Sequence, residues 1–212
     1  MEHVLSLADR HLTYLMRQIA TRNAFVLMHP FAELKTFAAQ VYVAECYGFR
    51  YERVELVGRQ RMMHVHLVRD PSPAARQRAA VNSAAFPDLG PGRTVPGMRP
   101  GTLTPLPEAQ ADVDLLTDLI RYEGLGHAAN QAQLKAIAWG SAVFFALMAA
   151  LSGKYAVCLT IAVLLPLGAL GVLRFNTARR AKLAERLTAA GCTTVRDAEG
   201  QERFVRPVRY AV

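Results

Sequence analysis

An apolar stretch at positions 136 to 173 constrains the fold of this chain more than any other feature. It reads AIAWGSAVFFALMAALSGKYAVCLTIAVLLPLGALGVL and holds a single charge, Lys154, near its middle. A short polar turn at that point separates two apolar runs, 136–152 and 155–173. Because a membrane-spanning helix needs about 20 apolar residues, with a range of about 17–25, both runs are long enough to cross a bilayer. The stretch predicts a two-span transmembrane helical hairpin.

A buried helical hairpin in a soluble protein is the alternative interpretation of this stretch. Helices that pack into a soluble core normally keep a polar stripe toward the solvent. Here the polar groups inside the two runs are limited to Ser141, Cys158 and Thr160, which favours the membrane. No ionisable residue lies in the middle of either run, which argues against a proton relay or a transport pathway.

Basic residues crowd the exit of the second run, whereas the turn between the runs offers only Lys154. Positive residues flank membrane helices mainly on the cytoplasmic side. We therefore expect a multi-pass protein of the cell inner (plasma) membrane with its N- and C-termini in the cytoplasm. Trp139 lies near the start of the first run and Tyr155 follows the turn, so the two residues lie near opposite ends of the expected hairpin and are expected to anchor it at the two membrane interfaces. The basic residues are Arg174, Arg179, Arg180, Lys182 and Arg186.

Composition limits the compartment and the partners. Lys and Arg number 25 against 17 Asp and Glu, so the net charge is +8 and anionic partners are considered first. The three cysteines, Cys46, Cys158 and Cys192, are too few and too scattered for a disulfide framework, which favours a reducing compartment. The N-terminus lacks the continuous apolar core of a signal peptide.

The first 85 residues predict a small cytosolic α+β domain with the element order α-α-β-β-α. Apolar residues recur at helical spacing in the first two segments, and Pro30 ends the apolar run between them. Alternating apolar and charged residues around Gly58 predict a β-hairpin. The helices are expected over 3–22, 31–47 and about 72–85, and the strands over about 50–57 and 62–69.

Four further segments are expected after this domain. Gly124 and Gly126 are expected to interrupt the acidic helix after residue 123. The second span is expected to run unbroken into a basic helix as far as Gly191, rather than to bend at Asn176–Thr177 and lie on the lipid surface. The segments are a Pro/Gly-rich linker or strap (86–107), the acidic helix and a pre-membrane segment (108–135), the transmembrane hairpin (136–173), and the basic cytosolic helix with a terminal β-hairpin that turns at 197–200 (174–212).

His64 and His66 are the first candidates for a metal site, because an H-x-H pair on a strand points both rings to one face. A metal site needs a third or fourth ligand, and His11, His29 or Cys46 would have to supply it. The alternative is the solvent face of an amphipathic strand, and we expect no metal there. Cys46 lies in an apolar helix, where a free cysteine usually acts as a small hydrophobe rather than as a nucleophile.

No motif of a known active site occurs in the chain. There is no phosphate-binding loop of nucleotide-binding proteins, no dinucleotide-binding glycine pattern and no serine-hydrolase elbow. The glycine-rich stretch GPGRTVPGMRPG is interrupted by prolines and is not followed by a helix, so it does not suit a phosphate. We therefore expect no catalytic residue, no cofactor and no enzyme activity.

The basic segment after the second run admits three interpretations. It determines the topology, or it contacts anionic lipid or a partner, or it touches nucleic acid. For the third, arginines of the predicted hairpin are interleaved with aromatic residues that could stack on bases, although Glu52 and Glu55 dilute the positive charge. The arginines are Arg50, Arg53, Arg59, Arg61 and Arg69, and the aromatic residues are Tyr47, Phe49 and Tyr51.

These features together predict a small integral membrane protein that acts as a membrane-anchored interaction or scaffold module. Its partners would be the lipid bilayer and a cytosolic or membrane protein. One alternative is a membrane-perturbing effector that oligomerises, since small residues such as Gly140, Ala142 and Ala146 permit close helix packing and a homo-oligomer. The other is an accessory protein that handles nucleic acid at the membrane.

Overall fold

The computed structural model of the protein describes residues 7–28, 33–58, 62–87, 94–128, 131–152, 155–196 and 202–206. These residues form six helices and small antiparallel sheets, which confirms the expected mixed α+β class. The elements are α1 (Leu7–Thr21), β1 (Ala24–Met28), α2 (Leu34–Cys46), β2 (Phe49–Val57), β3 (Met62–Arg69), α3 (Pro73–Ala85), α4 (Pro107–Ala128), α5 (Gln131–Ser152), α6 (Tyr155–Ala189), β4 (Thr193–Arg196) and β5 (Glu202–Val205).

The chain divides into two compact units. The first unit combines Met1–Gly124 with Leu187–Val212, and the second is Leu125–Arg186. In sequence, the second unit is therefore an insertion into the first. The first unit also extends beyond residue 85, because its core includes later residues of the chain, namely Val95, Met98, Val113, Leu116 and Ile120.

A three-stranded antiparallel sheet with the order β1-β3-β2 lies in the first unit. One face is buried through Phe25, Leu27, Val54, Val65 and Leu67. The central strand β3 and the edge strand β2 match the predicted hairpin. The other edge strand, β1, was not predicted. Its five residues, AFVLM, are apolar throughout and carry no alternation, so only the pairing from Ala24↔Val68 to Met28↔His64 makes them a strand.

Helices α1 and α2 cover the buried face of this sheet. Helix α3 comes directly after β3 in the chain. Buried residues of α2 lie on several sides of the helix, since Phe37, Ala38 and Ala39 are all nearly inaccessible. Helix α3 begins where the sequence predicts, because the Ser72 hydroxyl accepts a hydrogen bond from the Ala75 N–H at 3.3 Å.

The Pro/Gly-rich segment is a strap over the core in its described part. Val95 and Met98 are buried, and Met98 forms an isolated antiparallel bridge with Pro105. Gly97 between them has a φ of +69°, and a Cβ there would stand 2.6 Å from Cε1 of Tyr42. The strap therefore depends on a glycine for both its backbone conformation and its close packing.

Helix α4 continues through Gly124 and Gly126 to Ala128, so the predicted interruption is wrong. Both glycines serve close packing instead. A Cβ at Gly124 would stand 3.3 Å from Met63 Cε, and one at Gly126 would stand 3.2 Å from Arg180 Nη2. A glycine inside a helix costs about 1 kcal/mol relative to alanine, an amount that tertiary packing overrides.

The second unit contains α5 and most of α6. Among the described helices, α6 is long and apolar enough to cross a membrane, and only 6% of its most apolar window is buried. In α5 the apolar part is the shorter run Trp139–Leu151, so the first of the two predicted spans falls short of this criterion. One candidate membrane helix is thus established, and the two-span hairpin stays a prediction.

Helix α6 runs without a break past Asn176–Thr177, as predicted. The Thr177 hydroxyl donates back to the Arg174 carbonyl at 2.9 Å instead of capping a new helix. At the other end, Gly191 has a φ of +84°, and its N–H donates to the Thr188 carbonyl while the Cys192 N–H donates to that of Leu187. This pair of bonds is a Schellman ending with Gly191 at its C′ position.

A two-stranded antiparallel hairpin follows α6. Strand β4 pairs with β5 from Thr193↔Val205 to Arg196↔Glu202. The predicted turn at 197–200 lies outside the described residues. We call β4, β5 and Arg206 the terminal hairpin.

Candidate functional site

A cavity of about 510 Å³ opens in the first unit between the start of β2, α4 and the terminal hairpin. Its lining combines apolar side chains with charges of both signs. The apolar residues include Phe49, Leu115, Leu119 and Phe204, and the charged residues are Glu45, Arg50, Glu52, Asp70, Arg78, Asp112, Arg203 and Arg206.

Glu123 is the buried acid that joins three parts of the first unit at one edge of this cavity. Only 4% of its side chain is exposed. Its Oε2 accepts hydrogen bonds from the Tyr51 hydroxyl at 2.5 Å and the Val54 N–H at 3.0 Å, and its Oε1 accepts one from Arg203 Nε at 3.2 Å. A buried carboxylate is stable when it is paired and hydrogen-bonded in this way.

The contact of Glu123 with Val54 also covers part of the outer edge of the sheet. Strand β2 lies at the edge, and the pairing slips between Tyr51 and Arg53, so a β-bulge precedes Val54. Bulges redirect backbone groups and interrupt strand pairing. The carboxylate satisfies the Val54 N–H and thereby blocks that point of the edge against another strand.

A second buried pair, Glu45 with Arg206, holds the end of the terminal hairpin. Only 7% of the Glu45 side chain and 15% of the Arg206 side chain are exposed. The backbone around Glu45 is held as well, since Arg78 Nε donates to its carbonyl at 3.1 Å and Asn82 Nδ2 donates to that of Cys46 at 2.8 Å. The end of α2, α3 and the terminal hairpin thus meet at one wall of the cavity.

Phe204 lies between Arg203 and Arg206 in the sequence and lines the same cavity. Phe204 is only 5% exposed. Its ring packs edge-to-face on Tyr122, with 5.0 Å between the ring centroids. Aromatic pairs in this geometry add about 0.5–1.5 kcal/mol beyond their burial. The terminal hairpin is therefore part of the first unit rather than a solvated tail.

The protonation state of Tyr51 follows from these contacts. Burial, the charge of Glu123 and the hydrogen bond to that carboxylate raise the pKa of the Tyr51 phenol well above its ordinary value. The phenol therefore stays protonated at neutral pH and donates its proton to the bond with Glu123. A general acid or base needs a pKa near the working pH, so Tyr51 serves structure rather than proton transfer.

The rest of the lining places charged and apolar side chains together. Ser72 is the one serine among the described lining residues, and its hydroxyl caps α3. Arg50, Glu52 and Asp112 present charges beside the apolar Leu115 and Leu119. A cavity with an apolar floor and a few charged groups binds an amphipathic ligand or a segment of another protein.

His64 and His66 lie together on β3, on the face opposite to the buried Val65 and Leu67. Both are half-buried, so this face is less open than the solvent face that the alternation predicts. His66 Nε2 is 3.3 Å from Glu55 Oε2. Within the described part of the chain, no three His, Cys, Asp or Glu side chains are grouped to hold a metal ion. His11 lies on α1, and His29 is outside the described residues.

The surroundings of Glu55 and of Cys46 shift the pKa of each group away from neutral pH. Partial burial disfavours ionisation of Glu55, but Arg53 and His66 outweigh it and lower the pKa of this carboxyl below its ordinary value. Burial raises the pKa of the Cys46 thiol to about 12. A reactive cysteine needs a thiolate at neutral pH, so this environment suppresses the reactivity of Cys46.

The aromatic residues proposed to stack on nucleic-acid bases are engaged in the protein. Tyr47 and Phe49 are buried, and Tyr51 is bonded to Glu123. Arg69 lies over the Phe49 ring at 4.6 Å and donates to the Ile19 carbonyl at 3.0 Å. Arg59 and Arg61 lie outside the described residues. These three aromatic side chains are therefore not available to stack on nucleic-acid bases, as the nucleic-acid alternative requires.

The predicted basic segment lies on α6, but its members do not share one surface. Arg174, Arg179, Lys182 and Arg186 are exposed, whereas Arg180 is half-buried on the side that approaches Gly126. We therefore remove Arg180 from the predicted lipid-contacting set. The predicted interface anchors Trp139 and Tyr155 are 71% and 56% exposed.

The residues that organise the cavity were not singled out from the sequence. A signal for the two acids was present, since Glu123 follows Leu119 and Ile120 on one helical face, and Glu45 follows Val41. The pairing with Arg203 and Arg206 carries no such signal, because it joins residues 80 and 161 positions apart.

Comparisons with family models, curated proteins and solved structures find no match for this chain. Its function is therefore argued from the geometry of the molecule.

Proposed function

We propose that this protein is a membrane-anchored interaction module. The second unit would be the anchor, a two-span hairpin, and the first unit would present the cavity to a protein partner in the cytoplasm. The observation that carries the proposal is the return of the chain: it leaves the first unit after Gly124 and rejoins it at Leu187.

This return bears on the number of membrane crossings. A segment whose two ends belong to one compact unit must cross a bilayer an even number of times. Helix α6 meets the length and hydropathy requirements of a membrane span. If α6 crosses the bilayer, a second helix of the same unit must cross it as well, so that the chain returns to the side of the first unit. Helix α5 is the candidate for it. Its 22 residues extend about 33 Å at 1.5 Å per residue, and its apolar part, Trp139–Leu151, covers about 20 Å of the roughly 30 Å hydrocarbon core. A short span is accommodated by local thinning of the bilayer.

The composition of α5 is compatible with this role. Its apolar part begins at Trp139, and the turns before it would lie among the lipid headgroups, where an indole ring is favoured. Apolar side chains cover the outer surface of both helices of the second unit. Contiguous apolar surface of this kind is rarely left to water. The most exposed examples are Trp139, Leu151, Val157, Leu164 and Phe175.

The orientation is proposed from the basic residues on α6. Arg174 and Arg179 follow directly after its apolar part and are exposed, and such residues favour the cytoplasmic side. Both flanks of the second unit would then lie in the cytoplasm together with the whole first unit. The inner (plasma) membrane is the expected location.

A protein partner fits the cavity better than a substrate does. The lining offers charged groups such as Arg50, Glu52 and Asp112 beside an apolar floor, and the described residues there include no activated nucleophile. Its walls are also well fixed, because the two buried acid–arginine pairs hold the terminal hairpin in place. A pre-organised site loses less conformational entropy when a partner binds.

Site-specific photo-crosslinking in native membranes tests the partner role. A photoreactive phenylalanine analogue at Leu115, in the cavity lining, should give one discrete protein adduct. The same analogue at Val81 of α3, which is 61% exposed and does not line the cavity, is the matched control. Equal adducts at both positions, or none at Leu115, would contradict the proposal. An adduct between two copies of this chain would identify the partner as a homo-oligomer.

A further inference from the structure

Three exposed basic residues of α6, together with Phe175, form a row along one face of the helix. Phe175, Arg179, Lys182 and Arg186 follow each other at steps of four, three and four residues, which places them above one another. All four are exposed. Arg174 is exposed as well, but it points about 100° around the helix from Phe175 and lies outside the row.

Another side of the same helix is the packing face. Leu173 and Leu183 are buried there, and Asn176 and Arg180 are half-buried between them. These positions again follow steps of three and four residues, so the packing stripe and the basic row run along different sides of α6. The row is thus directed outward, where it can meet lipid or cytoplasm.

Position along the helix separates the four exposed basic residues, Arg174 and the three of the row, into two pairs. At 1.5 Å per residue, Arg174 lies about 1.5 Å and Arg179 about 9 Å beyond Leu173, the last residue of the apolar part. Lys182 and Arg186 lie about 14 Å and about 20 Å beyond it by the same rise. The headgroup region on one side of a bilayer is only about 5–8 Å thick, from a total thickness of about 40–45 Å and a core of about 30 Å. The backbone of Arg179 lies just beyond this depth, but its guanidinium reaches back over the ring of Phe175, a residue that lies about 3 Å beyond Leu173.

Phe175 supports the upper part of the row. Its ring is 62% exposed, and the Arg179 guanidinium lies over it, 5.5 Å from the ring centroid. An aromatic ring at the boundary between hydrocarbon and headgroups is in its preferred environment. Stacking on the ring also directs the guanidinium, whose fork of donors matches a phosphate group.

We propose that Arg174 and Arg179 bind the phosphate groups of anionic phospholipids in the cytoplasmic leaflet, and that Lys182 and Arg186 do not. This inference rests on the membrane insertion proposed above. The helix would therefore select lipids with a net negative charge through two arginines at headgroup depth rather than through its total charge. Lys182 and Arg186 are left for contacts in the cytoplasm.

Bromolipid quenching of Trp139 fluorescence provides the test, because Trp139 is the only tryptophan of the chain. The full-length protein is reconstituted into bilayers of neutral lipid that contain equal mole fractions of either brominated phosphatidylglycerol or brominated phosphatidylcholine. Each well-placed basic group enriches anionic lipid by roughly fivefold. The wild-type protein should therefore be quenched more strongly by the brominated anionic lipid.

Two variants with the same loss of charge separate depth from net charge. R174Q/R179Q should lose the preference for the anionic lipid, whereas K182Q/R186Q should keep it. Equal loss in both variants, or no preference in the wild-type protein, would overturn the inference. Inorganic phosphate in the buffer should leave the preference unchanged; if it abolishes the preference, the site binds free phosphate rather than lipid.

The two proposals fail in different ways in this experiment. If neither brominated lipid quenches Trp139, the protein is not inserted, and the proposed membrane anchor is wrong. If both lipids quench it equally, the anchor stands and the lipid selection is wrong.

Discussion

At the scale of single residues, Glu123 determines how the first unit is closed. It lies on α4, yet its partners come from β2 and from the terminal hairpin, so one carboxylate joins segments from three regions of the chain. Both of its oxygens accept hydrogen bonds from groups inside the fold. Its replacement therefore affects several elements at the same time.

The substitution Glu123→Gln should destabilise the protein without changing the volume of the side chain. One carboxylate oxygen becomes an amide N–H₂ that faces a donor, and Arg203 loses its counter-charge. Loss of one member of a buried pair costs about 3–5 kcal/mol; about 2–3 kcal/mol is expected here, because 26% of the Arg203 side chain remains exposed.

Thermal unfolding in detergent micelles measures this effect. A loss of that size lowers the Tm by roughly 4–12 °C for a chain of this length. The matched control is Asp114→Asn, which removes a charge from an exposed residue of the same helix and should lie within about 0.5 kcal/mol of the wild-type protein. Equal Tm values for the two variants would show that Glu123 does not hold the unit together.

The phenol of Tyr51 predicts a dependence of stability on alkaline pH. Its pKa is raised in the folded protein, so the folded state holds this proton more tightly than the unfolded state does. The corresponding stability is fully present below the ordinary pKa of about 10 and is lost as the pH rises above that value toward the folded-state pKa.

The substitution Tyr51→Phe should remove this alkaline loss. The Tm of the wild-type protein is expected to fall more steeply above a pH of about 10 than that of the variant. Tyr14→Phe, at a residue that is 44% exposed, serves as the control and should follow the wild-type protein. Parallel curves for wild type and Tyr51→Phe would count against the assigned hydrogen bond.

At the scale of elements, the strap connects α3 to α4 and covers the core with little regular structure. Its conformation is fixed by backbone bonds such as the one from the Leu106 N–H to the Gly97 carbonyl at 2.8 Å. Gly97 has the tightest surroundings of the described glycines, between Tyr42 and Ala109. The strap should therefore tolerate no side chain at this position.

A comparison of Gly97→Ala with Gly58→Ala isolates this packing. Both glycines have a positive φ, +69° and +77°, so both variants carry the cost of a left-handed alanine, about 1–2 kcal/mol. A Cβ at Gly58 meets nothing within 4 Å, whereas one at Gly97 overlaps Tyr42. Gly97→Ala should be less stable than Gly58→Ala by about 1–3 kcal/mol in thermal unfolding. Equal losses would contradict the described close contact.

Elements with a local signal were predictable from the sequence. The start of α3 near residue 72 and the stop of α6 at Gly191 depend on neighbouring residues, and both predictions agree with the structure. Strand β1 and the passage of α4 through Gly124 depend on partners far along the chain, such as Met63, and were not predicted. The same distinction applies to the cavity, whose acids lie on apolar helical faces but whose arginines come from the other end of the chain.

At the scale of the whole molecule, the insertion of Leu125–Arg186 into the first unit is the feature from which the proposed function follows. The apolar composition of this insertion could be read from the sequence. The re-entry of the chain could not, because the terminal hairpin looks like an independent tail until Arg203 and Arg206 are placed beside Glu123 and Glu45. Because the chain re-enters the first unit, a membrane crossing by the candidate span α6 would require a second crossing.

The most direct test of the proposed anchor is cysteine accessibility in intact cells. Single cysteines are placed at Lys154, in the turn between α5 and α6, and at Thr188, after Cys46, Cys158 and Cys192 have been replaced by serine. A membrane-impermeant maleimide should label position 154 from outside the cell, and position 188 only after the membrane is permeabilised. Protection of position 154 until permeabilisation, or labelling of position 188 in intact cells, would contradict the two-span anchor.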